Sequence, residues 1–240
     1  FDVPASDVMH VALATSLASI IVTASASANA HRKRGSVLWP TVAWLAPGLV
    51  FGGIVGSIWA IGVDGSTLAT LVGLFCVLMG LRMAWPARSA APAAPGDSII
   101  APVPRGPWLG AAGSIIGAVS AVVGVGGGSL TVPLLVSRGV ATVRAVGTSS
   151  ACGVVIALAS AATYALVPSM GATTPSAAVA ATKDFGMVGH VHVPGAVGIG
   201  LGAWFAAPYG VRLAHRLSGV ALARVLAVAL ASVGVALLWP

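Results

Sequence analysis

The sequence predicts an all-α membrane protein, a polytopic bundle of helices that cross a lipid bilayer. Charged residues make up 7% of the 240 positions, whereas a soluble domain has about 25%. Hydrophobic residues reach 58% and the mean hydropathy is +1.00, so a water-facing surface could not be covered. Since one span needs about 20 apolar residues, the chain has room for about six to eight such segments and little else.

The apolar segments are separated by short polar stretches. They lie at about 9–30, 37–63, 66–85, 108–137, 144–166, 189–210 and 218–239. The longest interruption, 86–107, is rich in Pro and Ala and cannot continue as a helix. We therefore expect residues 1–85 to form a first repeat of three transmembrane helices, 86–107 a cytoplasmic linker, and 108–240 a second repeat.

The basic residues predict the orientation of these segments. Cytoplasmic loops of membrane proteins carry an excess of Lys and Arg, which places Arg32, Lys33 and Arg34 in the cytoplasm. If segment 108–137 enters the membrane and turns back, 11 of the 12 Lys and Arg residues are cytoplasmic and Lys183 lies outside. If the segment crosses instead, five of these arginines move outside. The charge distribution favours a re-entrant segment, with both chain ends outside.

A glycine cluster interrupts segment 108–137 and supports the same interpretation. Four of the five residues 124–128 are glycine, and Pro133 follows. Because each Gly costs about 1 kcal/mol in a helix interior, we predict two short helical arms that meet at a break. Broken backbone at membrane depth survives where protein or a water-filled cavity satisfies its polar groups. The prediction is therefore about six transmembrane helices and one re-entrant broken hairpin.

The two halves of the chain resemble each other in sequence. Residues 12–18 (ALATSLA) align with 145–151 (AVGTSSA), and 47–53 (PGLVFGG) align with 194–200 (PGAVGIG). The predicted orientation makes the first aligned helix run in opposite directions in the two halves, so the repeats would be inverted. Inverted repeats with interrupted helices are typical of secondary transporters. Chance similarity among helices rich in Ala, Gly and Val is the alternative.

Several motifs together resemble the sulfite exporter TauE/SafE family of membrane transporters. The strongest is GAVSAVVGVGGGSLTVPLL at 117–135, followed by AVGTS at 145–149; weaker ones are HVALATSL at 10–17, GHVHVP at 189–194 and RLAHRL at 212–217. This resemblance implies an exporter of small sulfur-containing anions, such as sulfite or organosulfonates, in a bacterial-type plasma membrane. The family has a glycine motif in each half, and the first would precede Phe1. We therefore expect this chain to lack that segment.

The glycine break is the predicted substrate-binding site. Free backbone N–H groups at a helix start, with the positive end of its dipole, can replace part of the hydration of an anion. The predicted substrate-binding residues are Gly126, Gly127, Gly128, Ser129, Thr131, Thr148, Ser149, Thr15 and Ser16. The alternative is that these small residues serve helix packing, which is our interpretation of the pairs Gly48/Gly52, Gly113/Gly117 and Gly198/Gly202.

Other classes of function have weaker support in the sequence. The predicted spans contain no acidic residue, and the histidines lie at span ends without a cysteine partner, so we predict no enzyme, metal site or cofactor. The basic residues form short clusters without interleaved aromatics, which argues against nucleic acid binding. The rival functions are a passive anion channel and a non-transporting scaffold subunit. Besides the anion and the lipid bilayer, a proton bound by His10, His190 or His192 and a homo-oligomer are candidate partners.

Overall fold

The computed structural model describes residues 7–84, 104–167, 186–216 and 219–239. Within these ranges the chain forms helices and one two-stranded antiparallel hairpin. The helices are α1 (Val8–Lys33), α2 (Trp39–Ile61), α3 (Gly65–Ala84), α4 (Trp108–Val123), α5 (Gly128–Val136), α6 (Thr142–Leu166), α7 (Val193–Arg216) and α8 (Gly219–Leu238), and the hairpin pairs β1 (Met187–Val188) with β2 (Val191–His192). Most of the predicted linker 86–107 lies outside the described residues.

Four helices of the described chain are long and apolar enough to cross a membrane. They are α1, α2, the part of α3 at Gly65–Arg82, and α6. Shorter apolar helical stretches lie at Trp108–Val123, Val193–Ala206 and Ala227–Leu238. The predicted class, an all-α multi-pass membrane protein, is thus confirmed, while the count of about six spans stays a prediction.

The chain divides into two compact units that do not follow its two halves. One unit contains Phe1–Gly65 and Ile100–Gly200, and the other contains Ser66–Ile99 and Leu201–Pro240. Each unit therefore combines helices from both predicted repeats. The division into repeats at 1–85 and 108–240 describes sequence similarity and stays a prediction.

Helices α2 and α4 pack side by side through glycines. A Cβ atom added at Gly48, Gly52 or Gly56 would overlap the backbone of Gly110, Ser114 or Ala118, respectively. The contacting positions increase in number along both helices, so the two helices run parallel. This close approach is typical of small-xxx-small pairs in membrane helices. The predicted packing role of Gly48/Gly52 is confirmed.

The other two predicted glycine pairs have different outcomes. A Cβ atom at Gly113 or Gly117 would come within 2.6 Å of a backbone oxygen of α2, so this pair also packs. By contrast, no described atom lies within 4 Å of a Cβ added at Gly198 or Gly202. The packing predicted for this last pair is therefore wrong for the described part of the chain, since α7 leaves both positions open.

Helix α6 lies against both α1 and α2. It runs antiparallel to α1, since Ser150 Oγ is 2.8 Å from Ser27 Oγ and Gly153, one turn later in α6, faces Ala24, earlier in α1. It packs on α2 through an apolar core. That core is formed by Val37, Val42, Leu45, Leu49, Leu109, Ile116, Ala151, Cys152 and Ile156. Both cysteines, Cys76 and Cys152, are buried and unbridged.

The second unit contains a close pair of antiparallel helices, α3 and α8. A Cβ atom at Gly73 would lie 3.0 Å from the Gly234 carbonyl oxygen, and one at Gly80 would lie 2.9 Å from that of Ala227. The contacting positions increase in number along α3 and decrease along α8, so the two helices are antiparallel. Glycine again permits the backbones to approach.

Prolines correct the register of the predicted repeat. Pro47 lies inside α2, which starts at Trp39, whereas Pro40 occupies the second position of this helix. Pro194 instead occupies the second position of α7. Proline is favoured at a helix start because its missing N–H would have no intrahelical acceptor there. Pro40, and not Pro47, therefore holds the place in α2 that Pro194 holds in α7.

Candidate functional site

The glycine cluster produces the predicted break between α4 and α5. Helix α4 ends at Gly124, whose φ of 73° is left-handed, and the Gly124 N–H donates to the Ser120 carbonyl. Helix α5 begins after Gly127, whose φ of 71° is also left-handed. Glycine adopts this conformation without the steric cost that a side chain would add. Two left-handed residues three positions apart redirect the chain.

The two ends of the broken segment lie together. The guanidinium carbon of Arg138, just beyond α5, lies 4.0 Å from the ring centroid of Trp108, the first residue of α4. Such a cation–π contact is favourable. Near it, the Thr41 hydroxyl at the start of α2 donates to the Pro104 carbonyl at 3.0 Å. Segment 108–138 therefore begins and ends on the same side of the surrounding helices.

A cavity of about 420 Å³ lies beside the break. One water occupies about 30 Å³ of liquid, so this open pocket has room for a small oxyanion with several waters. It is lined by Ile20, Thr23, Ala24, Val125, Gly126, Gly128, Ser129, Val132, Val146, Ser149, Ser150 and Gly153. All of these side chains are neutral, so no fixed charge comes from the lining.

Three residues at the start of α5 line this cavity and carry unpaired backbone donors. The N–H groups of Leu130 and Thr131 donate to the Gly127 carbonyl. Those of Gly126, Gly128 and Ser129 have no acceptor within the described part of the chain. Unpaired N–H groups at a helix start, together with the positive end of the helix dipole, favour an anion. Pro133 also leaves the Ser129 carbonyl without its usual helical donor.

Two predicted hydroxyls line the cavity and are available to a ligand. Ser129 is exposed to it, and Ser149 lies opposite, with its Oγ 3.6 Å from the position of a Cβ added at Gly128. Neither hydroxyl forms a hydrogen bond with another described residue. Of the predicted set, Gly126, Gly128, Ser129 and Ser149 therefore come together.

Gly127 and Thr131, the other predicted residues of the break, face the protein interior. A Cβ atom at Gly127 would contact Ile156, Ser120 and Ile116 rather than the cavity. Thr131 is fully buried, and its hydroxyl has no hydrogen-bond partner among the described residues. Gly127 thus shapes the backbone of the break, and Thr131 is an unsatisfied polar group within it.

Thr15, Ser16 and Thr148 use their hydroxyls to join elements of the fold. Thr148 Oγ1 accepts the Leu38 N–H at 3.0 Å and donates to the Arg144 carbonyl at 2.7 Å. Thr15 Oγ1 accepts the His192 N–H at 3.1 Å. The Ser16 hydroxyl donates to the Gly124 carbonyl at 3.1 Å and so ties α1 to the break. The structure does not bring these three side chains to the lining of the cavity.

Comparison with known proteins identifies the family of the chain. The model of the family described as "Sulfite exporter TauE/SafE" matches residues 3–237. The chain belongs to this family. No solved structure matches the chain.

Two curated bacterial proteins illustrate the relationship of this TauE/SafE chain to its family. A "Probable membrane transporter protein" of Haemophilus influenzae is 30% identical over 159 residues, which cover 65% of this chain and 57% of the relative. A protein of Xylella fastidiosa with the same description is 31% identical over 141 residues, 58% of this chain and 53% of the relative. The matches thus span about half the length of these relatives.

Three further residues of the TauE/SafE cavity were not predicted from the sequence. Thr23 and Ser150 line it, although both hydroxyls also bond to carbonyls of their own helices. Gly153 lets the break approach α6, since a Cβ there would lie 2.8 Å from the Gly126 carbonyl oxygen. The available signal was spacing: Ser149 and Gly153 are four residues apart and share a helix face.

Proposed function

We infer that this chain carries the anion-binding part of a secondary transporter, which exports small sulfur-containing anions such as sulfite or organosulfonates across a bacterial plasma membrane. The observation that carries the proposal is the cavity at the break, whose lining includes the hydroxyls of Ser129 and Ser149 and three residues with unpaired backbone N–H groups, Gly126, Gly128 and Ser129. Membership of the TauE/SafE family supplies the substrate class.

The neutral donors of the cavity suit a protein that must release its anion as well as bind it. Neutral donors can replace hydration around an anion, whereas a buried cation would add strong attraction in a medium of low dielectric constant. A carrier must also release its substrate. Donors that bind without fixed charge, at a broken helix inside a bundle, are what secondary transporters place at their substrate sites.

Two equivalent hydrogen bonds support the inverted repeat on which alternating access would rest. Thr148, in the second half, accepts the N–H of Leu38, two residues before Pro40 in the first half. Thr15, in the first half, accepts the N–H of His192, two residues before Pro194 in the second half. Thr15 and Thr148 are the aligned threonines of the sequence repeat. Each half thus anchors the helix start of the other.

The decisive experiment measures flux of radiolabelled sulfite in vesicles containing the protein expressed from its complete reading frame. A carrier shows saturable flux and counterflow, in which unlabelled sulfite on one side drives uptake of label on the other. A passive channel conducts without counterflow. Vesicles that carry no sulfite and no organosulfonate would contradict the proposal and favour a scaffold.

Removing the Ser149 hydroxyl should weaken anion binding moderately. We expect Ser149→Ala to raise the half-saturating sulfite concentration about threefold to tenfold, since one neutral hydrogen bond contributes about 0.5–1.5 kcal/mol. Ser232→Ala is the matched control, because the Ser232 hydroxyl donates to the Ala229 carbonyl within α8 and should leave the value unchanged. Equal values for Ser149→Ala and the unaltered protein would remove Ser149 from the site.

The re-entrant hairpin predicts that Ser137 faces the cytoplasm. Ser137 follows α5 and is exposed, so a cysteine there can react with a thiol reagent. With Cys76 and Cys152 replaced by serine, we expect Ser137→Cys to resist an impermeant maleimide added outside intact cells and to react after lysis. Gly62→Cys, in the exposed link after α2, is the control and should react from outside. Labelling of position 137 in intact cells would contradict the predicted orientation.

A further inference from the structure

Two histidines that the cavity does not use lie together in the larger unit. His10 in α1 and His190 in the turn of the β-hairpin are 6% and 5% exposed, although their places at span ends predicted an interfacial location. Their ring centroids are 5.9 Å apart. Residues 180 positions apart in sequence thus form a buried pair of ionisable groups.

The hydrogen bonds of the pair determine which ring nitrogens can take up a proton. His10 Nε2 lies 3.1 Å from the Ala60 carbonyl and 2.9 Å from that of Val63. His190 Nδ1 lies 3.2 Å from the Tyr164 carbonyl. Because a carbonyl only accepts, each of these nitrogens carries a hydrogen. The lone pairs are then on His10 Nδ1 and His190 Nε2, for which no described residue provides a hydrogen bond.

Helix ends lie beside both imidazoles. The carbonyls that they contact belong to the last turns of α2 and α6 or closely follow them, where the helix dipole is negative and attracts a cation. A second proton would place two like charges at the observed separation, which is unfavourable. The pair therefore favours the uptake of one proton over the uptake of two.

Other ionisable groups act on this pair. Burial lowers the pKa of His190 below its ordinary value and the charge of His10 lowers it further, while the hydrogen bond to Tyr164 and the charge of Asp7 raise it. The Tyr164 ring itself faces His190 from α6 at 6.4 Å. Asp64 directly follows Val63 at the end of α2, and His192 lies two residues along the hairpin.

Helix α1 connects the histidine pair to the anion cavity. Beyond His10, Thr15 bonds to the hairpin and Ser16 bonds to the Gly124 carbonyl of the break. Ile20 of the same helix lines the cavity. A shift of α1 that alters the pair would therefore also alter the break.

We propose that His10 and His190 form the proton-binding site of this protein, and that its occupancy couples a proton to anion movement through the cavity. The coupling rests on the transport function proposed above. Proton uptake forms one N–H bond at the lone pair of one imidazole and breaks one O–H bond of a hydronium ion, which leaves as water, so the site gains one positive charge. That charge compensates the negative charge of one bound anion.

Histidine titration by ¹⁵N NMR tests the proton site independently of transport. In the labelled 240-residue chain in nanodiscs, neutral His10 should be the Nε2–H tautomer and neutral His190 the Nδ1–H tautomer. His10→Gln should raise the midpoint of His190, because the charge of His10 lowers the pKa of His190. A His190 midpoint that stays unchanged in His10→Gln would overturn the proton site.

The control for these titrations is His31, whose Nδ1 lies 2.9 Å from Ser36 Oγ near the opposite end of α1. The ¹⁵N chemical shifts of its ring should be the same in all variants at one pH. If these shifts change, the substitution has altered the fold, and His10→Asn replaces His10→Gln; a His190 midpoint that His10→Asn leaves unchanged would then reject the pair.

Proton movement in vesicles tests the coupling. With the full-length protein and a pH-sensitive dye trapped inside, a sulfite gradient should drive proton movement. His190→Gln should abolish most of that movement, because it removes one of the two rings that accept the proton, while exchange of labelled sulfite continues. His31→Gln should leave both unchanged. Wild-type proton movement in His190→Gln would contradict the coupling.

The two proposals can fail separately. Coupled titration of the pair without any sulfite flux would reject the transport function and retain the proton site. Normal sulfite flux with independent titration of His10 and His190 would reject the proton site and retain the transport function.

Discussion

Replacement of Gly52 by valine should remove most of the folded protein. A Cβ atom at this position would overlap the backbone of Ser114 in α4. The obstacle is main chain in the middle of a helix, so no rotamer change can relieve it. Overpacking costs about 1–3 kcal/mol where side chains can adjust, and here α2 and α4 must separate. Because Gly48 and Gly56 repeat the same contact one turn away on each side, separation at Gly52 would loosen the whole interface.

The measurement is the yield of monodisperse protein in detergent and its thermal unfolding midpoint. Gly198→Val is the matched control, since a Cβ at Gly198 meets no described atom within 4 Å. We expect Gly198→Val to match the unaltered protein and Gly52→Val to fall in both measurements. Equal behaviour of the two variants would show that α2 and α4 are not in glycine-mediated contact.

The sequence was sufficient to place the helices and the break. Apolar runs bounded by charges or prolines located the ends of α1 and α3 to within three residues, because a membrane-spanning helix requires such a run. The glycine cluster at 124–128 located the break, because several glycines in succession oppose a helix. These features depend on local composition, which a single sequence contains.

The sequence alone could not show in which direction each side chain faces. Thr148 and Ser149 are neighbours, but successive residues of a helix point about 100° apart. Only packing against α1 and α2 determines that Ser149 lines the cavity while Thr148 bonds to Leu38. His10 was missed as a buried group for the same reason, since its place at the end of α1 says nothing about which neighbours cover it.

The glycines of the break also differ in the direction that they face. This direction determines which glycine substitution tests the anion site. Gly127 has a left-handed φ and faces Ile156 in the core, so a valine there would strain the backbone and collide with packed side chains. Gly128 is the first residue of α5 and lines the cavity. A Cβ there would meet Ser149 Oγ at 3.6 Å, which is ordinary van der Waals contact.

Gly128→Val should therefore block anion binding in a protein that still folds. The added methyl groups occupy the space in front of the unpaired N–H groups of Gly128 and Ser129, so an anion loses both donors and room. We expect sulfite flux to fall about tenfold to a hundredfold, equivalent to about 1.4–2.8 kcal/mol, with the yield and thermal midpoint of the unaltered protein. Gly128→Ala, which adds only the tolerated Cβ, should have an intermediate effect.

Gly127→Val is the contrasting variant, and it should lose folded protein as well as flux. Both substitutions add the same atoms at adjacent positions, so the comparison separates occupation of the cavity from distortion of the break. If Gly128→Val folds normally and transports sulfite at the wild-type rate, the cavity beside α5 is not the path of the anion. The unpaired N–H groups of the break would then have a purely structural origin, in the two left-handed glycines that end α4 and begin α5.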